Sequence, residues 1–211
     1  MVMTKDLPYL KGLVILNGLV PLAMMGWDAW QGQLGANAAN TALHITGIVS
    51  LVFLILSLAM SPLLWWTGWG GWIAFRRALG LYAFLYAAAH LAIYVGFDRA
   101  MSLTSTIKEI VARRYLQVGA LAFLLMIPLA VTSTNRMIQR LTSRRWKRLH
   151  QLSYVVAILA VLHFYMLVKS DVLQPVAFGC VVVGLLLLRV GRRPGPRTVR
   201  RPPPTTLNPE S

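Results

Sequence analysis

The sequence predicts an all-α integral membrane protein, a bundle of six transmembrane helices. Three observations carry this. Hydrophobic residues make up 57% of the 211 positions and charged residues only 13%. Soluble domains carry roughly 25% charge, so a water-soluble globule of this composition would expose large apolar patches. The apolar residues form continuous runs close to the roughly 20 residues needed to cross a bilayer, without the alternation of a β-barrel strand. The 21 Lys and Arg, against 6 Asp and Glu, give a net charge of +15, and they fall between and beyond those runs.

The spans follow in order. Gly12–Trp30 comes after Lys5 and Lys11 and before Ala36-Asn37-Ala38, which imitates a signal peptide. The run is long, however, and Asp28, Gln31 and Gln33 separate it from the small residues, so it reads as a retained helix. Leu43–Leu64 ends in Trp65, Trp66, Trp69 and Trp72, an interfacial aromatic belt. Ala78–Phe97 follows Arg76-Arg77. Within the next loop, Ile107–Val111 reads as a short interfacial helix. Tyr115–Thr134 comes next, then Leu149–Val168 after the basic run Arg144–Arg148. Val172–Leu188 is the shortest, with Pro175 near its start. Pro21, Pro62 and Pro128 lie in or near span ends, where proline kinks a helix. Residues 1–190 thus read as one membrane domain. Residues 191–211, rich in Pro and Arg, read as a disordered basic tail.

With the N-terminus in the cytoplasm, 16 of the 21 basic residues fall inside and five (Arg99, Lys108, Arg113, Arg114 and Lys169) outside. Basic residues favour the cytoplasmic side, so both termini are expected there. The net charge is then a topology signal with some attraction to anionic membrane lipid; no nucleic-acid motif accompanies it. The single cysteine, Cys180, excludes a disulfide framework, a protein-ligated iron–sulfur cluster and C-x-x-C-H haem attachment. There is no Gly-rich phosphate loop, G-x-S-x-G or H-E-x-x-H motif. No carboxylates pair within a span, which argues against a hydrolase or a carboxylate proton relay.

The four histidines are His44, His90, His150 and His163, all within or at the rim of a span. Ionisable side chains are costly there and mark function, and neutral imidazole is a strong axial ligand for haem iron. At 1.5 Å rise per residue, His90 stands roughly 20 Å beyond Arg77 and His163 roughly 22 Å beyond Arg148. The two match in depth in the outer half of the membrane, as axial ligands of one b-type haem should. His150 lies near the cytoplasmic end with no histidine partner at its depth. On one straight helix His150 and His163 point some 140° apart. His44 opens the second span at its outer end. Ala87-Ala88-Ala89 before His90 would let a flat macrocycle approach. Arg76-Arg77 and Arg144–Arg148 can meet haem propionates or an anionic flavin phosphate.

Three segments carry all four histidines: GQLGANAANTALHITG at 32–47, RRALGLYAFLYAAAHLAIY at 76–94 and TSTNRMIQRLTSRRWKRLHQLSYVVAILAVLHFYMLVK at 132–169. They resemble the MsrQ (YedZ) family of the ferric reductase-like transmembrane domain superfamily, in order and spacing along nearly the whole chain. Arg114 stands where the family typically has Pro, and the C-terminal tail is unlike the family. The resemblance implies a haem b-binding subunit of the bacterial inner membrane, holding one haem or two, with FMN associated with the family. Its implied partner is MsrP, a periplasmic molybdopterin reductase that repairs methionine sulfoxide in proteins. Electrons come from the quinone pool, as quinol, or from a cytosolic flavin reductase. His90, His150 and His163 match the haem-linked histidines, and His44 a further family histidine. Arg77 and Arg148 are secondary candidates for cofactor contact.

Two other readings compete. A self-standing ferric or quinone reductase would want a C-terminal FAD/NAD(P)H domain, for which the stretch after the sixth span is too short. A transporter would use the histidines as a proton path.

Overall fold

The structure, a computed structural model, describes residues 7–98, 101–168 and 170–191. The tail expected from 191 onward lies, beyond Gly191, outside the described residues. What is described is helical, with no strand among these residues. Five stretches are long and apolar enough to cross a membrane: Leu7–Trp30, Ala38–Thr67, Trp72–Phe97, Arg114–Val131 and Asn135–Leu167. A sixth apolar helix, Leu173–Arg189, is shorter.

The first span is two helices, α1 (Leu7–Gly18) and α2 (Val20–Trp30). Pro21 has no N–H to continue the ladder, and a tyrosine from elsewhere completes the break. The Tyr86 hydroxyl donates to Gly18 O at 2.9 Å and accepts from Leu22 N at 3.0 Å. It thus stands in for the helical bond between those two residues, the side-chain insertion that kinks helices. Tyr82 donates to Ile15 O one turn earlier.

Next come α3 (Ala38–Thr67) and α4 (Trp72–Ile93), the latter extended by a π-helical turn, Tyr94–Asp98. The two pack antiparallel in the most extensive helix contact of the bundle. Their seam has a register. His90 meets the carbonyl of Leu43, Ser50 donates to Ala83 O at 2.8 Å, and Ser57 donates to Arg76 O at 3.0 Å. Positions 43, 50 and 57 of one helix therefore face 90, 83 and 76 of the other, a heptad seam with small residues and serine hydroxyls between closely approaching backbones.

The expected interfacial stretch is part of α5 (Leu103–Ala112), capped by Ser102. The next elements are α6 (Arg114–Val131), α7 (Asn135–His150), α8 (Leu152–Leu167) and α9 (Leu173–Val190). One sequence expectation changes here. Residues 135–148 form an amphipathic helix where a charged loop was expected; Thr134 caps it and Thr142, at φ 60°, kinks it. His150 closes α7, the single residue Gln151 follows at φ −67° and ψ −22°, and His163 lies on α8. α6 packs on α8, and α9 on α8 and α3. The core where these helices meet holds Leu54, Leu58, Ala83, Met126, Val156 and Val182. The connections at 31–37, 94–113 and 168–172 define an upper end; those at 68–71 and 132–151 define a lower end.

Candidate functional site

A cavity of about 500 Å³ opens in the upper half between α3, α4, α6 and α8, within the range of cofactor sites. Its walls are nearly all apolar, with Leu51, Ala87, Ala122, Met126 and Ala160 among them, and three of the four histidines, His44, His90 and His163, line it. Of the alanines before His90, Ala87 faces this space.

His90 on α4 and His163 on α8 are held in the same way. His90 Nδ1 lies 2.9 Å from Leu43 O on α3, and His163 Nδ1 lies 2.7 Å from Tyr115 O on α6. A carbonyl only accepts, so each Nδ1 carries its proton and each Nε2 keeps a lone pair for a metal. Thr46, fully buried, adds to the His90 side. Its hydroxyl donates to Ala42 O at 2.7 Å, so its oxygen can accept from His90 Nδ1, 3.3 Å away. Four residues beyond each carbonyl, the neighbouring helix has a glycine. A Cβ at Gly47 would stand 3.3 Å from the His90 ring, and one at Gly119 only 2.8 Å from the His163 ring. Each imidazole therefore lies on a patch of bare helix backbone.

The two ring centroids are 6.4 Å apart, with ring planes at 89°. A metal–imidazole bond of about 2 Å, plus about 1 Å from nitrogen to ring centre, puts two rings on opposite sides of one ion about 6 Å apart. Among the described residues no three His, Cys, Asp or Glu side chains converge as a metal site. The pair could offer two imidazole donors to one metal ion, whose other donors would have to come from a bound cofactor placed in the apolar cavity.

The remaining candidates sit elsewhere. His44 is exposed at the cavity wall, its ring edge-on to Phe164 at 6.1 Å. His150 is at the lower end, stacked on Trp146 at 3.9 Å. Its Nε2 lies 3.2 Å from Thr132 Oγ1, whose own proton goes to Pro128 O at 2.6 Å; His150 thus donates from Nε2 and keeps its lone pair on Nδ1. Trp146 is fixed by a 2.9 Å bond to Thr132 O. Arg77 is exposed and donates to Asn135 Oδ1 at 2.6 Å, tying α4 to the start of α7. Arg148 is exposed on α7. Neither arginine lines the histidine cavity. Gly47, Gly119, Thr46, Thr132 and Trp146 were not singled out from sequence. The LHITG and RRWKRLH segments contain three of them, but their roles depend on which helix faces which.

A multi-pass helical bundle with two histidines opposed across an apolar cavity is a cofactor-type membrane domain, and residues 46–161 match the family model of the ferric reductase like transmembrane component. The heme-binding subunit MsrQ of protein-methionine-sulfoxide reductase from Xanthomonas euvesicatoria pv. vesicatoria is 44% identical over 206 residues, covering 93% of this chain and 94% of the relative. Proteins of the same name from Herminiimonas arsenicoxydans and Caulobacter vibrioides are each 40% identical, over 88% and 86% of this chain and 86% and 88% of their own length. The chain belongs to the MsrQ family. No solved structure matches it.

Proposed function

We propose that the chain is the haem b-binding membrane subunit of a protein-methionine-sulfoxide reductase system, with His90 and His163 as the axial ligands of one haem. The observation that carries this reading is the opposed pair of imidazoles, 6.4 Å apart, each with Nδ1 engaged by a backbone carbonyl. Haem b supplies a one-electron iron couple. The protein's part is to fix both imidazole tautomers, to raise the basicity of each Nε2 through the Nδ1–H bond, and to surround the site with apolar side chains that keep water away.

The split of basic residues supports both termini in the cytoplasm of a bacterial cell, with the bundle in the inner membrane and its upper end periplasmic. The upper connections are too short to house an enzyme, so an electron at the His90–His163 site leaves to a separate acceptor docked on that face. The family resemblance makes it an MsrP-type molybdopterin reductase. The donor, a quinol or a cytosolic flavin reductase, is assigned to the lower end, where His150 and the run Arg144–Arg148 could meet a second haem or FMN. His44 is assigned to the rim of the upper site.

Protein reduced in lipid nanodiscs is expected to be reoxidised by the purified periplasmic partner plus a methionine sulfoxide substrate, and not at that rate by substrate alone. Equal rates with and without the partner would overturn the subunit reading in favour of a self-standing reductase.

A further inference from the structure

At the lower end two arginines lie near one tyrosine. Arg76 is in the second turn of α4, Arg189 in the last turn of α9, and Tyr154 near the start of α8. Arg189 Nη1 donates to the Tyr154 hydroxyl, its Nη2 donates to Leu58 O at 2.5 Å, and its guanidinium carbon lies 4.9 Å from the centre of the Tyr154 ring. Arg76 lies near enough to feel the charge of Arg189 and the Tyr154 hydroxyl, and His150 in turn feels Arg76. Its Nη1 is 3.5 Å from Ser61 Oγ.

None of these partners is an anion. The four acids among the described residues, Asp28, Asp98, Glu109 and Asp171, all belong to the upper half of the bundle or its upper connections, and Glu109 there pairs with Arg113. Nε of Arg189 is buried without a hydrogen-bond partner among the described residues. A guanidinium stays protonated. Two of them held together partly out of water repel each other, and each pays a desolvation cost that a neutral hydroxyl and a carbonyl do not offset. Among the described residues the arrangement lacks an anion. Planar, forked donors from two sides match a tetrahedral oxyanion, and both arginines lie within about two turns of a span end, at the level where phosphate groups are found.

We propose that Arg76 and Arg189, both held against the Leu58–Ser61 turn of α3, form an oxyanion site that takes a phosphate group at the lower end of the bundle. The phosphate comes from a phospholipid headgroup or from a soluble phosphate compound. The site stands apart from the His90–His163 cavity and does not depend on the reading of that cavity.

The test is thermal unfolding of the delipidated protein in neutral detergent, followed by tryptophan fluorescence. Inorganic phosphate, chloride at matched ionic strength, and phosphatidylglycerol are added separately. At ten times the apparent dissociation constant the midpoint is expected to rise by about 3–6 °C. A rise with inorganic phosphate over chloride identifies a soluble ligand, and a rise with the lipid alone identifies a headgroup. Either rise should vanish in Arg189→Gln and Arg76→Gln, and shrink in Arg189→Lys, which keeps the charge and loses the fork. If the glutamine variants do not fold, as judged by circular dichroism, Arg189→Lys decides. No rise in the wild type with either probe, or an undiminished rise in the folded variants, would overturn the site.

Discussion

The two helix pairs that present His90 and His163 solve one problem by different means. The α3–α4 pair is stitched along its length: the Leu43–His90, Ser50–Ala83 and Ser57–Arg76 bonds recur every seventh residue. Tyr82 and Tyr86 on α4 also grip the kinked first span. The α6–α8 pair has one cross-helix polar bond to its histidine, Tyr115 O to His163 Nδ1, and holds the ring by close approach to Gly119. The difference teaches that a ligand can be fixed by register or by fit. A register tolerates small steric change because many bonds share the load, whereas a fit fails at the one residue that makes it.

That contrast can be broken by substitution. Gly119→Ala should have the largest effect, because its Cβ would stand 2.8 Å from His163 Cε1 and Nδ1. We expect about 1–3 kcal/mol of overpacking cost and loss of most bound haem, measured as haem per polypeptide. Tyr86→Phe comes next. It leaves Gly18 O and Leu22 N–H without their bridge in an apolar surrounding, a cost of about 1–3 kcal/mol, visible in thermal unfolding with haem content largely kept. Gly47→Ala should be milder, since the corresponding distance is 3.3 Å; haem is retained, with a shifted reduction potential. If Gly47→Ala and Gly119→Ala lose haem equally, the distinction between register and fit is wrong. Smallest is Ser50→Ala, about 0.6 kcal/mol by analogy with interhelical hydrogen bonds in membranes, read as a small drop in unfolding midpoint with no change in the haem spectrum.

The membrane bundle and the matched depth of His90 and His163 were legible in the sequence, because hydropathy and helical rise depend on local chain composition. The amphipathic α7 was not. Its six Arg and Lys between Arg136 and Arg148 read as a loop, although Met137, Ile138, Leu141 and Leu149 recur at helical spacing. The glycine behind each ring, and the carbonyl one turn before it, depend on which helix lies against which, information that no single span carries. Arg189 read as one more cytoplasmic charge because its neighbour across the bundle, Arg76, is far away in sequence.

The central claim is that His90 and His163 together hold one haem. Its most direct measurement is haem quantification with reduced-minus-oxidised spectra on purified wild type and the His90→Ala, His163→Ala, His44→Ala and His150→Ala variants. The account predicts that His90→Ala and His163→Ala each abolish the same low-spin signal, and that His44→Ala retains it. A wild-type bis-histidine spectrum in either His90→Ala or His163→Ala would contradict it.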